Sequence, residues 1–373
     1  MHRIIYIMLL LTLMDSCKKP YSPPEGETVN TILVVEGTIA VGANAENRFL
    51  LSRLRPLQDT SINNPESGAR VIIESQSGQT WTLTEKEAGT YLSALSLPSG
   101  SRYRLKVQTR NGRQYETDFL EVKSTPPIDS VTWRQPDDVE IFVHTHDPSN
   151  NTRYYRWEFT ETWEYHSFYD SNLGFVNGQI VFLDPSELTF ACWSSASSGS
   201  IIINNTTALT EDVISYQPIL ILPRPSPKAS FKYSILVRQY GLPEDAYNFW
   251  NILRKNTELT GTLFDPQPSQ LPGNIKCVND PAERVIGFIS AGAIAEKRLY
   301  IRNADLLNWP VMPMEDSVCK VVNAEPNSID FLKQDTTYGP AFFVTGGGIR
   351  LAKKPCMDCR RRGGTTTKPP YWQ

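Results

Sequence analysis

The chain is poor in the residues and spacings from which catalytic centres are usually recognised. It has only 4 His in 373 residues, and it contains no G-x-S-x-G elbow, no phosphate-binding P-loop and no H-E-x-x-H pair. The common signatures of serine hydrolases, nucleotide hydrolases and zinc proteases are therefore missing. Charge of one sign is lacking too: 37 Lys and Arg face 40 Asp and Glu, for a net charge of −3. That balance lacks the basic stripe of a nucleic-acid binder. No internal repeat of fixed period is apparent, and after the first residues no apolar run is long enough to span a bilayer as a helix.

What is present begins with an address. Arg3 precedes the apolar run Ile4–Met14, which ends in Met14-Asp15-Ser16-Cys17. A basic start, a short apolar stretch and a small residue before Cys predict a signal peptide over 1–16, with lipid attached at Cys17. Asp15 is unusual for such a site, and an ordinary secretory signal cut nearby is the competing reading. Lys18 and Lys19, followed by Pro20, Pro23, Pro24 and Gly26, suit a tether over 17–29.

Mainly β structure is expected from there on. The 27 Pro, 16 Tyr and 8 Trp favour strands joined by many turns. Seven short alternating runs between Thr31 and Val122, with hairpin signals at Ser77-Gly78 and Asn111-Gly112, predict an immunoglobulin-like β-sandwich over 30–124. Thr125-Pro126-Pro127 marks a linker over 125–129. A mainly β domain over 130–373 follows, with a docked C-terminal tail. Its long strand around RYYRWEFTETWEYH puts Tyr155, Trp157, Phe159, Glu161 and Trp163 on one face, and Tyr154, Arg156, Glu158, Thr160 and Thr162 on the other. Ser194 to Ser200 reads as a small-residue loop. FKYSILVRQY alternates as a strand up to Gly241. Pro243, acidic Glu244 and Asp245, and a stripe of Tyr247, Trp250 and Leu253 then predict an amphipathic helix over Pro243–Thr257, packed on the sheet. RVIGFISAGAI and KRLYIRN are expected to form a closing hairpin, and the region Pro310–Tyr338 has no clear pattern.

Candidate chemistry is sparse. Apart from Cys17 the chain has Cys192, Cys277, Cys319, Cys356 and Cys359. In an oxidising compartment an odd number leaves at least one unpaired, and the pairing is not deducible from spacing. Cys356-Met357-Asp358-Cys359 reads as structural disulfide before redox or zinc site, because its surroundings are Gly- and Pro-rich. His144 and His146 share a strand face and, with Asp147, are weak candidates for a metal; a polar sheet face is the plainer reading. The Pro-rich loop holding Asp265 and Gln267 is a candidate binding loop, with Arg238 and Tyr240 on the strand before it. Arg360-Arg361-Arg362 could meet an acidic surface, although a solvated or internally paired cluster is the plainer reading. No catalytic residue and no cofactor is assigned.

The runs YSILVRQYGL, AYNFW, GTLFDPQPSQ with GNI, VIGF with EKRLYI, and CMDCRRRGGTTTKPPYW resemble a Bacteroidota lipoprotein family known as domain of unknown function number four-two-four-nine. The resemblance covers nearly the whole mature chain. It implies that Cys192, Cys319, Cys356 and Cys359 are the bridged cysteines and Cys277 the odd one. It implies attachment to the outer membrane through Cys17, with the surface or the periplasmic face left open. Genes of the family often adjoin those of TonB-dependent transporters, which implies such a transporter as partner. The function expected is a non-catalytic accessory or ligand-capture protein of that transporter. The alternatives are a metal-dependent hydrolase using His144 and His146, or a structural envelope-assembly protein.

Overall fold

A computed structural model describes residues 32–54, 64–258, 273–312, 319–323, 328–345 and 347–372. The protein is mainly β. Its first module comprises β1 (Leu33–Ala40), β2 (Gly42–Arg53), β3 (Arg70–Ser75), β4 (Thr80–Thr82), β5 (Thr84–Glu87), β6 (Thr90–Leu97), β7 (Tyr103–Gln108), β8 (Gln114–Thr117) and β9 (Val122–Lys123). Alternation decides which way these strands face. Val71 and Ile73 of β3, and Tyr103, Leu105 and Val107 of β7, are buried, while the residues between them face outward. With Phe49, Leu51, Tyr91 and Tyr115 they fill the space between two sheets. Each such side chain removed from water contributes roughly 1.5–3 kcal/mol.

The second module comprises β10 (Ile128–Arg134), β11 (Val139–His146), β12 (Tyr154–His166), the hairpin β13 (Leu173–Val176) and β14 (Gln179–Phe182), β15 (Ala191–Ser197), β16 (Ile202–Asn205), β17 (Val213–Leu222) and β18 (Lys232–Leu242). Helix α1 (Glu244–Glu258) follows β18, and then come β19 (Ile275–Cys277), β20 (Val285–Ile286), β21 (Ser290–Gly292) and β22 (Ile294–Arg302). A sheet ordered β10-β11-β17 lies over one in which β12 pairs with β15, β16 and β18, and β18 with β22. Between them the inward face of β12 packs Tyr155 and Trp157, stacked at 5.7 Å, against Val139, Ile141, Tyr233 and Ile235. These rings are core. Glu161 on the same face is buried as well, and it is held by Lys228 at 2.7 Å and by the Tyr233 hydroxyl at 2.8 Å.

The expected hairpin of residues 284–303 does not form. β20 and β21 instead run parallel to β1, β19 pairs with β8, and β22 alone stays with β18. Residues 275–292 thus return to the first sandwich and add Ile275, Cys277, Ile289 and Ala291 to its core. Tyr115 seals the join by donating its hydroxyl to Glu283 at 2.7 Å. The physical reason is that β1 would otherwise present an open edge and half-covered Leu33, Val35 and Ile39. Residues 125–127 join the modules as a bonded strap, shorter than the linker expected over 125–129 because β10 already begins at Ile128. Thr125 donates to the Ala293 carbonyl at 2.6 Å, and the Pro126 carbonyl accepts from Gln239 at 2.8 Å. Ser194–Ser197, expected as loop, are the end of β15 and pair with Thr160–Trp163. Small polar residues are tolerated there because the ladder is made by backbone groups.

The remaining chain forms a small third module with β23 (Val322–Asn323), α2 (Ser328–Gln334), β24 (Tyr338–Phe343) and β25 (Ile349–Lys353). Leu173, Leu332, Ile349 and Leu351 form its core. Two disulfides tie it down, Cys192–Cys359 and Cys319–Cys356. The C-x-x-C therefore forms no bridge within itself; its two sulfurs face different partners. Cys277 is unpaired and buried. The tail then crosses the outer face of the β12–β18–β22 sheet. Trp372 is buried and donates to Glu164 at 3.2 Å, Tyr371 lies 3.7 Å from the Arg298 guanidinium, and Tyr300 donates to the Tyr371 carbonyl. Of the basic run, Arg360 pairs with Asp358 at 2.9 Å.

One loop carries a pH-sensitive contribution to stability. After β11, Asp147 accepts from the Ser149 hydroxyl at 2.6 Å and from the backbone N–H groups of Ser149, Asn151 and Thr152 at 2.9, 3.0 and 2.8 Å. Burial pushes its carboxyl up, but these donors outweigh burial and hold it at about 2. A depressed folded-state value means the stabilisation is complete above the unfolded value near 4 and is lost as pH falls towards 2. For this half-exposed group that amounts to about 1 kcal/mol after solvent screening. Thermal melts of Asp147→Asn and the parent should differ at pH 7 and converge towards pH 2; a constant difference would contradict this account.

Candidate functional site

The modules meet along a cleft walled by β1 and β2 on one side and by β12, β18, β22 and α1 on the other. Two adjoining cavities, of about 680 and 540 Å³, share Glu36, Gly37, Arg156, Glu158 and Trp250 in their walls. That is the size range of small-molecule sites.

Strand register builds the floor. Arg156 stands opposite Tyr240 and Glu158 opposite Arg238, while Arg238 stands opposite Glu296 on the next strand. All lie on the faces of β12 and β18 that point away from the second module's core. Arg156 is only 8% exposed. Its guanidinium carbon lies 4.5 Å from the Tyr240 ring and 4.3 Å from the Trp250 ring. Nη1 donates to Glu158 at 2.5 Å, and Nε is buried without any acceptor. Glu158 also accepts the Tyr240 hydroxyl at 2.7 Å. Arg238 donates to Glu296 at 2.7 Å and to Thr160 at 3.2 Å.

The electrostatics follow from this packing. Burial drives the Glu158 carboxyl up, but Arg156, the Tyr240 hydroxyl and Arg238 together hold it below its usual range. Burial, reinforced by the negative charge of Glu158, raises the Tyr240 hydroxyl, which stays protonated and donates. Glu36, across the cleft, behaves oppositely. Its carboxyl is raised by burial and by Glu158, against the weaker pull of Arg48 and Arg156.

Helix α1 supplies the lid of this site. Its buried Ala246 and Phe249 fasten it, with Phe249 against Phe288 at 5.6 Å. Tyr247 contacts Tyr154 at 5.1 Å, and Trp250 is thereby held over Arg156. The aromatic stripe read from the sequence thus packs the helix and also lines the cleft.

Of the residues singled out from sequence, Arg238 and Tyr240 lie in this cleft. Asp265, Gln267 and Cys17 lie outside the described residues. His144 and His146 sit on β11, away from the cleft walls, and each has its own partner: His144 meets Thr132 at 2.8 Å and His146 meets Asp129 at 2.8 Å. Among the described residues no group of three His, Cys, Asp or Glu is placed to hold a metal. Sequence reasoning placed Arg156 and Glu158 on one strand face and Trp250 in a helix stripe without assigning them to a site, and it missed Glu36, Arg48 and Glu296. The available signal was the Arg and Glu on the second face of strands whose first face is mainly aromatic or aliphatic.

These features define a multi-module β protein with a charged, aromatic-lined cleft where two sandwiches meet. The chain belongs to the family described as Domain of unknown function (DUF4249), whose model matches residues 18–298, as its motifs led us to expect. No curated protein matches the chain. Among solved structures, a protein described as membrane anchored, from Corynebacterium diphtheriae, matches at 11% identity over 56% of this chain and 54% of that one, with a TM-score of 0.16. The chain thus spans about half the length of that structure, and no fold likeness is taken from it.

Proposed function

We propose that this chain captures a small ligand in the inter-module cleft as a non-catalytic accessory of a TonB-dependent transporter, anchored to the outer membrane through Cys17. The observation that carries the capture role is Arg156: it is buried, fixed between two rings, and left with an unused donor in the wall of a ligand-sized cavity. A buried donor without a partner costs roughly 1–3 kcal/mol, and a ligand acceptor admitted by a small shift of the wall would relieve it. The cleft groups suit recognition by charge, hydrogen bonding and ring contact. The lipid anchor is supported by the apolar leader ending at Cys17, and the transporter by the gene neighbourhood that the family resemblance implies.

The test is purification of the tagged protein from its own outer membrane in mild detergent. A transporter recovered at about one-to-one is the expected result. Recovery of the protein with nothing stoichiometric would reject the accessory role.

A further inference from the structure

The capture reading leaves the ligand class open, and the cleft's own inventory of charge narrows it. Most of its ionic groups are already spent on one another. Arg238 is paired with Glu296, and Glu158 is occupied by Arg156 and Tyr240. Among the described residues, unpaired groups of both signs are left over, including Arg48 and Glu46, and two of these face each other across the cleft. One is Arg156: both faces of its guanidinium are covered, Nη1 is used, and Nε has no acceptor. The in-plane edge carrying Nε is the part of the fork that pairs side-on with a carboxylate. The other is Glu36 on the facing strand, whose carboxyl is drawn on electrostatically by Arg48 and Arg156 without a hydrogen bond to either.

We propose that the cleft is built for a small zwitterion, a free amino acid or short peptide, whose carboxylate meets the unused edge of Arg156 and whose ammonium meets Glu36. This rests on the cleft being the capture site. A simple anion would leave Glu36 unmatched and add repulsion from it; a simple cation would leave Arg156 unmatched. A neutral polyol would offer partners to both, yet would neutralise neither charge. A ligand with both charges completes the set, and the cavity of about 680 Å³ has room for one or two residues. The carboxyl of Glu36 is pushed up first by burial and then by Glu158, against Arg48 and Arg156, so a ligand ammonium beside it would favour its charged form. The charged groups around it are Arg48 and Glu46 from β2, Arg156 and Glu158 from β12, Arg238 from β18 and Glu296 from β22. An ammonium placed there would lower that carboxyl again, so binding near its titration would release a proton.

The experiment uses the full chain and titration calorimetry with alanyl-alanine, its N-acetylated form, its C-terminal amide, and maltose. Alanyl-alanine is expected to bind, and blocking either end should weaken it by about tenfold or more. Glu36→Gln should weaken alanyl-alanine by a similar factor and abolish its advantage over the N-acetylated form. Arg156→Lys should do the same with respect to the amide. Equal binding of blocked and unblocked forms, tighter binding of maltose, or no binding of any dipeptide would overturn the zwitterion class. The accessory role stands or falls separately, on the transporter recovered from the membrane.

Discussion

Replacing Cys192 and Cys359 together by alanine should lower the stability of the full chain by about 4 kcal/mol under oxidising conditions. The bridge joins residues separated by 167 positions, so it removes much of the freedom of the unfolded chain. Both sulfurs are buried, and the double replacement leaves no free thiol behind at this site. The tail would retain other attachments. Cys359 donates its N–H to the Thr189 carbonyl at 3.0 Å, Tyr165 donates to the Cys359 carbonyl at 3.0 Å, and Trp193 pairs with Thr365. The folded structure should therefore survive at neutral pH while opening more readily. Denaturant unfolding without reductant gives the stability change, and limited proteolysis reads loosening of the tail beyond the remaining Cys319–Cys356 bridge. An unchanged midpoint, with a protease-resistant tail, would show that the noncovalent contacts suffice and that the bridge contributes little.

Gln239→Leu should be the most damaging single change of similar size in the second sandwich, at about 3 kcal/mol or more. Gln239 is fully buried and serves three groups at once. Its carbonyl accepts from Trp157 Nε1 at 2.8 Å, and its amide donates to the Pro126 carbonyl at 2.8 Å and to the Thr145 hydroxyl at 2.9 Å. Leucine has a comparable volume, so no large cavity accompanies the loss. The cost comes from stranding the Trp157 donor and the Pro126 acceptor in a place water does not reach. Because Pro126 belongs to the strap between the sandwiches, the change should also loosen the way β1 faces β12, and with it the cleft. Unfolding midpoints and near-ultraviolet circular dichroism of the buried tryptophan check the prediction. A loss below about 1 kcal/mol would mean that these hydrogen bonds are easily replaced.

Gln239 also shows why part of the molecule was readable and part was not. Its place on the apolar face of FKYSILVRQY follows from alternation alone, and β18 lies where that pattern puts it, except that it runs on through Gly241, expected to end it, to Leu242. The partners that make a buried glutamine tolerable come from residues 126, 145 and 157, and no local pattern names them. The same contrast holds for the helix. Proline, acidic first-turn residues and the aromatic stripe locate it within a residue of Glu244–Glu258, whereas the role of Trp250 as the cover over Arg156 depends on β12 passing beneath.

Local pattern is enough to give the strand-rich character of the chain, the position of α1 and the inward face of β12. Each is a local property: period two or three point six, turn chemistry, and residue type. Tertiary structure alone decided that residues 275–292 return to complete the first sandwich, that the two cysteines of C-x-x-C reach different partners, and that Glu36 and Arg48 from one sandwich face Arg156, Glu158 and Arg238 from the other. These are pairings across long stretches of chain. They are selected by covering exposed sheet edges, sealing buried polar groups and balancing charge, and none of those demands can be evaluated until the distant segments are side by side.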